Sequence, residues 1–229
     1  MHFDTQYRPA YTLAICHLEP GESVMAEAGA MVTQDAHIQM ETQSRGGKGI
    51  GGLLKGLGRS MFTGESFFRN TFTAQQAPGE VTFAPSLPGD IMTYDLQPGK
   101  DLIIQQSAYL CSAPTVEIET KWKGFKGFLS QGTVFWIRGY GQGPICLNAF
   151  GGIKEVDVDG AFIIDTGHVV AFENTLQFQV KRVGSWFSTF FSAEGLVCRF
   201  QGQGKIYLQT RNPGEFGGTV GPMLPPRSG

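Results

Sequence analysis

Glu65, Arg69 and Asn70 are the densest local set of groups able to move a proton or hold a charged ligand in this chain of 229 residues. Residues four apart on a strand share a face but sit about 13 Å apart by strand rise. Glu65 and Arg69 therefore meet only through a bend or across a partner chain. Two readings follow: polar groups securing a subunit contact, or the polar lining of a small-molecule pocket at a subunit junction. The 20 Asp and Glu residues leave catalysis by paired carboxylates open as well.

No complete enzyme motif accompanies them. A nucleophile elbow needs G-x-S-x-G, and Gly64-Glu65-Ser66-Phe67-Phe68 lacks the last glycine. A phosphate loop needs G-x-x-x-x-G-K-[ST], and Gly46-Gly47-Lys48-Gly49 has neither the hydroxyl nor the spacing. His2, His17, His37 and His168 are dispersed with no H-x-H pair, so no metal centre and no cofactor are expected. His168, set in the slot of Tyr109, reads as a half-buried strand residue. Asp157-Val158-Asp159-Gly160 starts like a calcium loop but lacks the later oxygen ligands, and reads as a hairpin turn. Cys16, Cys111, Cys146 and Cys198 lie far apart without C-x-x-C, the pattern of free buried thiols in a reducing cytoplasm. The chain is not expected to be an enzyme.

The formal net charge is −2, too little to attract nucleic acid or anionic lipid over the whole surface. Only 17% of residues are charged, against about 25% in an average soluble domain. Either an oligomer covers surface, or Gly-rich turns take their polarity from backbone and uncharged side chains. Neither a basic leader followed by an apolar run nor 18 successive apolar residues occurs, which predicts a cytoplasmic protein.

The segment from Ser44 to Ser60 is more distinctive. It holds Arg45, Lys48, Lys55 and Arg59, no acid and seven glycines, with Ile50, Leu53, Leu54 and Leu57 at helical i, i+3, i+4, i+7 spacing. Trp122, Phe125, Phe128 and Leu129 occupy the comparable place further on, and Trp186, Phe187, Phe190 and Phe191 a third. Such apolar segments either cover sheet edges and subunit contacts or form a surface for a partner protein or a membrane. Lys48, Leu53, Leu54, Lys55, Leu57, Arg59, Glu65, Arg69 and Asn70 are the candidate binding residues.

The elements that would position these residues recur three times. Ile38, Met40 and Thr42, then Val116, Ile118 and Thr120, then Leu176, Phe178 and Val180 alternate with polar residues, the period of a half-buried strand. Glu27 to Val32, Gln105 to Leu110 and Asp165 to Val170 precede them at matching offsets, and each copy closes with a Gly-led strand at Gly79, Gly143 and Gly204. Each unit reads strand, strand, long loop, strand, strand. The predicted fold is all-β: three tandem antiparallel repeats, about 22–95, 100–158 and 160–210, forming sandwich or barrel-like modules around a pseudo-threefold axis. They share one continuous core in a single domain over 1–212, with 213–229 a flexible tail.

Gly64-Glu65-Ser66-Phe67-Phe68-Arg69-Asn70, Phe83-Ala84-Pro85 with Pro88-Gly89-Asp90-Ile91, Gly167-His168-Val169-Val170-Ala171-Phe172 and Gln209-Thr210-Arg211-Asn212 resemble the AIM24 family over nearly the whole chain. The resemblance implies repeats folded like the tryptophan RNA-binding attenuation protein, a homotrimer, and a bacterial member without an established activity or catalytic residues. It does not transfer RNA binding, since function resides in sites rather than folds, and the acidic balance makes nucleic acid an unlikely partner. The expected function is a non-enzymatic oligomeric scaffold docking a partner or membrane surface. The alternatives are a small-molecule site at a subunit junction and RNA binding by analogy.

Overall fold

The computed structural model describes residues 1–43, 69–120, 135–182 and 196–225. Nearly everything described is strand: β1 (His2–Gln6), β2 (Leu13–Leu18), β3 (Ser23–Glu27), β4 (Met31–Gln34), β5 (Ile38–Gln43), β6 (Arg69–Ala74), β7 (Gly79–Phe83), β8 (Ile91–Leu96), β9 (Leu102–Gln105), β10 (Tyr109–Ser112), β11 (Val116–Glu119), β12 (Trp136–Gly141), β13 (Gly143–Asn148), β14 (Ile153–Asp165), β15 (Val169–Glu173), β16 (Gln177–Arg182) and β17 (Leu196–Gln209). One short helix, α1 (Pro213–Val220), follows. Alternation sets each strand's faces: Ala14, Cys16 and Leu18 of β2 are buried while Leu13, Ile15 and His17 are partly exposed.

All the pairings between these strands are antiparallel. In the first third β2 and β4 flank β7, and β3 and β5 flank β6. In the second, β8 and β10 flank β13, and β9 and β11 flank β12. In the last, the long β17 is flanked along its end by the start of β14 and by β15, and along its beginning by the end of β14 and by β16. Two further ladders join the thirds, β3 to β10 and β9 to β15. The results are a four-stranded sheet β1-β2-β7-β4, a six-stranded sheet β5-β6-β3-β10-β13-β8, and a seven-stranded sheet made of the six-strand path β11-β12-β9-β15-β17-β14 with β16 also paired to β17.

Each third thus carries more strands than alternation alone suggested, because β2, β8 and the start of β14 precede the segments whose pattern is clearest. The Asp157–Gly160 segment is not a hairpin turn. It lies inside β14, where Gly160 (φ +102°) faces Gly202 (φ +120°) and both strands bend together. Those backbone angles disfavour ordinary side chains, so glycine at both positions lets the pairing of β14 and β17 continue without a break. The tail also departs from expectation: Asn212 caps α1 by accepting from the Gly214 N–H, Pro213 starts the helix, and the Phe216 ring packs on Phe150 at 5.2 Å.

The core divides into three clusters instead of one. Phe72, Phe83 and Leu18 centre the first, Tyr109, Leu102 and Ile104 the second, and Phe172, Phe200 and Ile206 the third. Asp90 ties the chain start to the passage between the first two thirds. Arg8 binds it through Nε and Nη2, each at 2.8 Å, the Thr12 hydroxyl donates at 3.0 Å and the Ile91 N–H at 2.9 Å. Burial pushes the Asp90 pKa up, but these donors outweigh it and hold the carboxyl below its ordinary value.

Candidate functional site

The β3–β10 ladder that joins the first third to the second holds one cluster of buried polar groups. At the β3–β10 joint, Ala26 faces Cys111 and Met25 faces Ser112. The Tyr109 hydroxyl donates to the Met25 carbonyl at 3.2 Å and lies 3.0 Å from the Ser112 hydroxyl. Burial drives the phenol pKa up, only partly opposed by its bonds to Ser112 and Arg69. It holds its proton throughout the neutral range and acts as a tether across the joint, not as an acid or base.

Arg69 and Asn70 are neighbours on β6, so their side chains point to opposite faces. Arg69 stands opposite Glu27 and Asn70 opposite Ala26. Burial raises the Glu27 carboxyl from 4.5 to about 7. Asn70 Oδ1 and Thr71 Oγ1 are buried without a hydrogen-bond partner among the described residues. The joint therefore holds one carboxyl that exchanges a proton near neutrality, beside an arginine and a tyrosine. Lys48, Leu53, Leu54, Lys55, Leu57, Arg59 and Glu65, with the aromatic segments after β11 and β16, lie outside the described residues.

The thiols offer no nucleophile. All four cysteines are free and buried. Desolvation raises Cys16 and Cys111, and lifts Cys198 to about 12, so the reactive thiolate is scarce at neutral pH. His168 sits in a one-turn 3-10 segment before β15, with Nδ1 2.8 Å from the Gln209 carbonyl. Val169, not His168, matches Tyr109 in register, since Val169 faces Leu208 as Tyr109 faces Leu147.

A second feature is two of the strand edges these sheets leave, those of β4 and of the end of β14. Among the described residues β4 pairs only with β7, and the end of β14 only with β17. Met31 and Val32 on β4 are 39% and 49% exposed, and Phe162 and Ile163 on β14 are 37% and 64% exposed. The sequence carried a signal for this that alternation hides: Ala161-Phe162-Ile163-Ile164 is an unbroken apolar run, the pattern of a strand buried on both faces. Partners more than 80 residues away, such as Asp90 for Arg8, left no local trace at all.

Several antiparallel sheets joined by tethered ladders define an all-β protein. The family described as "Mitochondrial biogenesis AIM24" matches residues 3–211, and the chain belongs to it. An uncharacterized protein of Streptococcus pyogenes serotype M6 is 32% identical over 232 residues, covering 100% of this chain and 93% of that one. A crystal structure of a Streptococcus pyogenes protein is similar at a TM-score of 0.80 and 28% identity, covering 97% of this chain and 99% of that one. Among the described residues no helix is long and apolar enough to cross a membrane.

Proposed function

We propose that the protein is a non-enzymatic scaffold that assembles with itself into a homotrimer, each subunit being three copies of one sandwich unit around a pseudo-threefold axis. Register supports the duplication. Glu27, Gln105 and Asp165 end their strands opposite Arg69, Trp136 and Val197. The strands that follow carry the same irregularity, between Met31 and Thr33, Tyr109 and Cys111, Val169 and Ala171. On this reading one domain holds units over 13–83, 91–148 and 153–209, and the segments 44–68, 121–134 and 183–195 occupy the same place in each. Their basic and aromatic residues are the surface for a partner protein or membrane. Four free thiols favour a cytoplasmic setting.

One observation carries the assembly: corresponding positions change exposure between the joints and the ends. Tyr109, Leu110, Val169, Val170, Val24 and Leu102 at the joints are all 0% exposed. Their counterparts at the ends, Met31, Val32 and Phe162, are the open residues described above. An edge that repeats the joint's strand but lacks its neighbour is a template for another copy. By the joints' register, Ile163 of one copy faces Gln34 of the next, as Met25 faces Ser112 and Ile103 faces Phe172.

Light scattering after gel filtration tests this. The chain of 24.9 kDa should elute at three times its mass, and Ile163→Lys or Val32→Lys should elute as a monomer with unchanged circular dichroism. A monomeric parent protein, or variants that assemble as the parent does, sinks the proposal.

A further inference from the structure

The outer face of the first sheet brings together residues that are distant in sequence. His2, His17 and Glu80 stand in one row across β1, β2 and β7, since His17 faces His2 on one side and Glu80 on the other. Asp4, two residues along β1 from His2, shares that face. The histidines that look dispersed in sequence are thus partly gathered by the fold. The His2 and His17 rings stack at 4.4 Å and 13°.

Each nitrogen of His17 has a carboxylate. Nδ1 lies 2.9 Å from Glu80 Oε1, and Nε2 lies 3.1 Å from Asp4 Oδ2. One ligand atom from each of His2, Asp4 and His17 falls within a set whose members are all within 4.8 Å of one another. We propose that His2, Asp4 and His17 form a solvent-facing site for a first-row divalent cation of the zinc type, with Glu80 as the positioning residue.

The distances favour this. Zinc takes imidazole and carboxylate ligands at about 2.0–2.2 Å, which places neighbouring ligands of a tetrahedron about 3.3 Å apart. The Asp4–His17 edge already has that length to within a few tenths of an ångström. His2 has to swing its ring out of the stack on His17 to bring a nitrogen to the same ion, which a side-chain torsion at an exposed strand position supplies. Glu80, accepting from Nδ1–H of His17, fixes the tautomer that turns the Nε2 lone pair toward Asp4, the arrangement of a carboxylate–histidine–metal relay. Water completes the fourth position. Two imidazoles with one carboxylate suit zinc, nickel or copper better than magnesium or calcium, which prefer all-oxygen shells. The site does not depend on self-assembly, because all its ligands come from one chain.

Titration with zinc chloride at pH 7.5 tests it, on protein with its native N-terminus and no histidine tag, by calorimetry and by the visible spectrum of the cobalt-substituted form. One ion per chain is expected. His2→Gln and His17→Gln should each weaken binding at least tenfold, and Glu80→Gln by about 10–100-fold, while His37→Gln leaves it unchanged. His2 is exposed, so His2→Gln should melt as the parent does, while half-buried His17 makes His2→Gln the cleaner of the two single variants. No binding at millimolar zinc, or one-to-one binding that survives the double substitution of His2 and His17, overturns the site. Mass measurement with and without zinc separates this outcome from the trimer question.

Discussion

On the proposed threefold reading, the in-chain joints and the two chain ends present the same kind of strand in opposite circumstances. At the joints Tyr109, Leu110 and Val170 have no exposed surface, while at the ends Val32 and Ile163 keep about half or more of theirs. β4 carries Met31-Val32-Thr33-Gln34 where β15 carries Val169-Val170-Ala171-Phe172. Exposure at an edge therefore follows both the neighbour a strand finds and the residues it carries. Each such side chain fully covered contributes about 1.5–3 kcal/mol, and association costs on the order of 4–15 kcal/mol in lost freedom. The two are of similar size, so the ends should associate in a concentration-dependent way, while the joints, held within one chain, form at any concentration.

The largest effect expected from breaking the comparison is Tyr109→Ala at a joint. It removes a fully buried ring and the bond to the Met25 carbonyl, a loss of about 3–5 kcal/mol. Urea unfolding should show it as a fall in midpoint, and a variant as stable as the parent would falsify the tethering role. Next comes Asp90→Ala, which leaves the Thr12 hydroxyl and the Ile91 N–H without their acceptor and should cost about 2–4 kcal/mol. Because the folded Asp90 pKa is depressed, that contribution is present above the unfolded carboxylate range and fades as pH falls through the folded value. The same urea series at pH 7 and pH 3 should show parent and variant converging in acid.

Ile163→Lys at an end is the contrasting substitution. It should change chain stability by less than about 0.5 kcal/mol, as surface changes do, while abolishing assembly. A large loss of fold stability in this variant would erase the distinction between joint and end. The smallest effect belongs to Glu27. Its folded pKa of about 7 stands above the ordinary 4.5, so the native state holds the proton more tightly. Stability is then greatest below pH 4.5 for this group and declines as pH rises to about 7. Glu27→Gln should flatten that decline, since burial alone raises the carboxyl. Parallel pH profiles of parent and variant would place the titration elsewhere.

How much of this was legible in sequence depends on the range of the interaction. Period-two alternation at Val116 and Ile118 marked β11 directly, because one face is buried and the other wet. β14 was misread at Gly160, since a glycine beside two aspartates looks the same whether a chain reverses or bends while still paired. The site was less legible. Arg69 and Asn70 were found as polar residues, but the group opposite Arg69 is Glu27, 42 positions earlier, and only strand register reveals it. His2 and His17 join in the same manner, through a ladder no spacing rule encodes.

The four cysteines have one more consequence. Cys16, Cys111 and Cys146 sit in the first core and Cys198 in the third. In the native state none is available to an alkylating reagent, so modification waits on local opening. Pulse labelling followed by peptide mass mapping would time the loosening of the first and third cores separately, using reporters the polypeptide already contains.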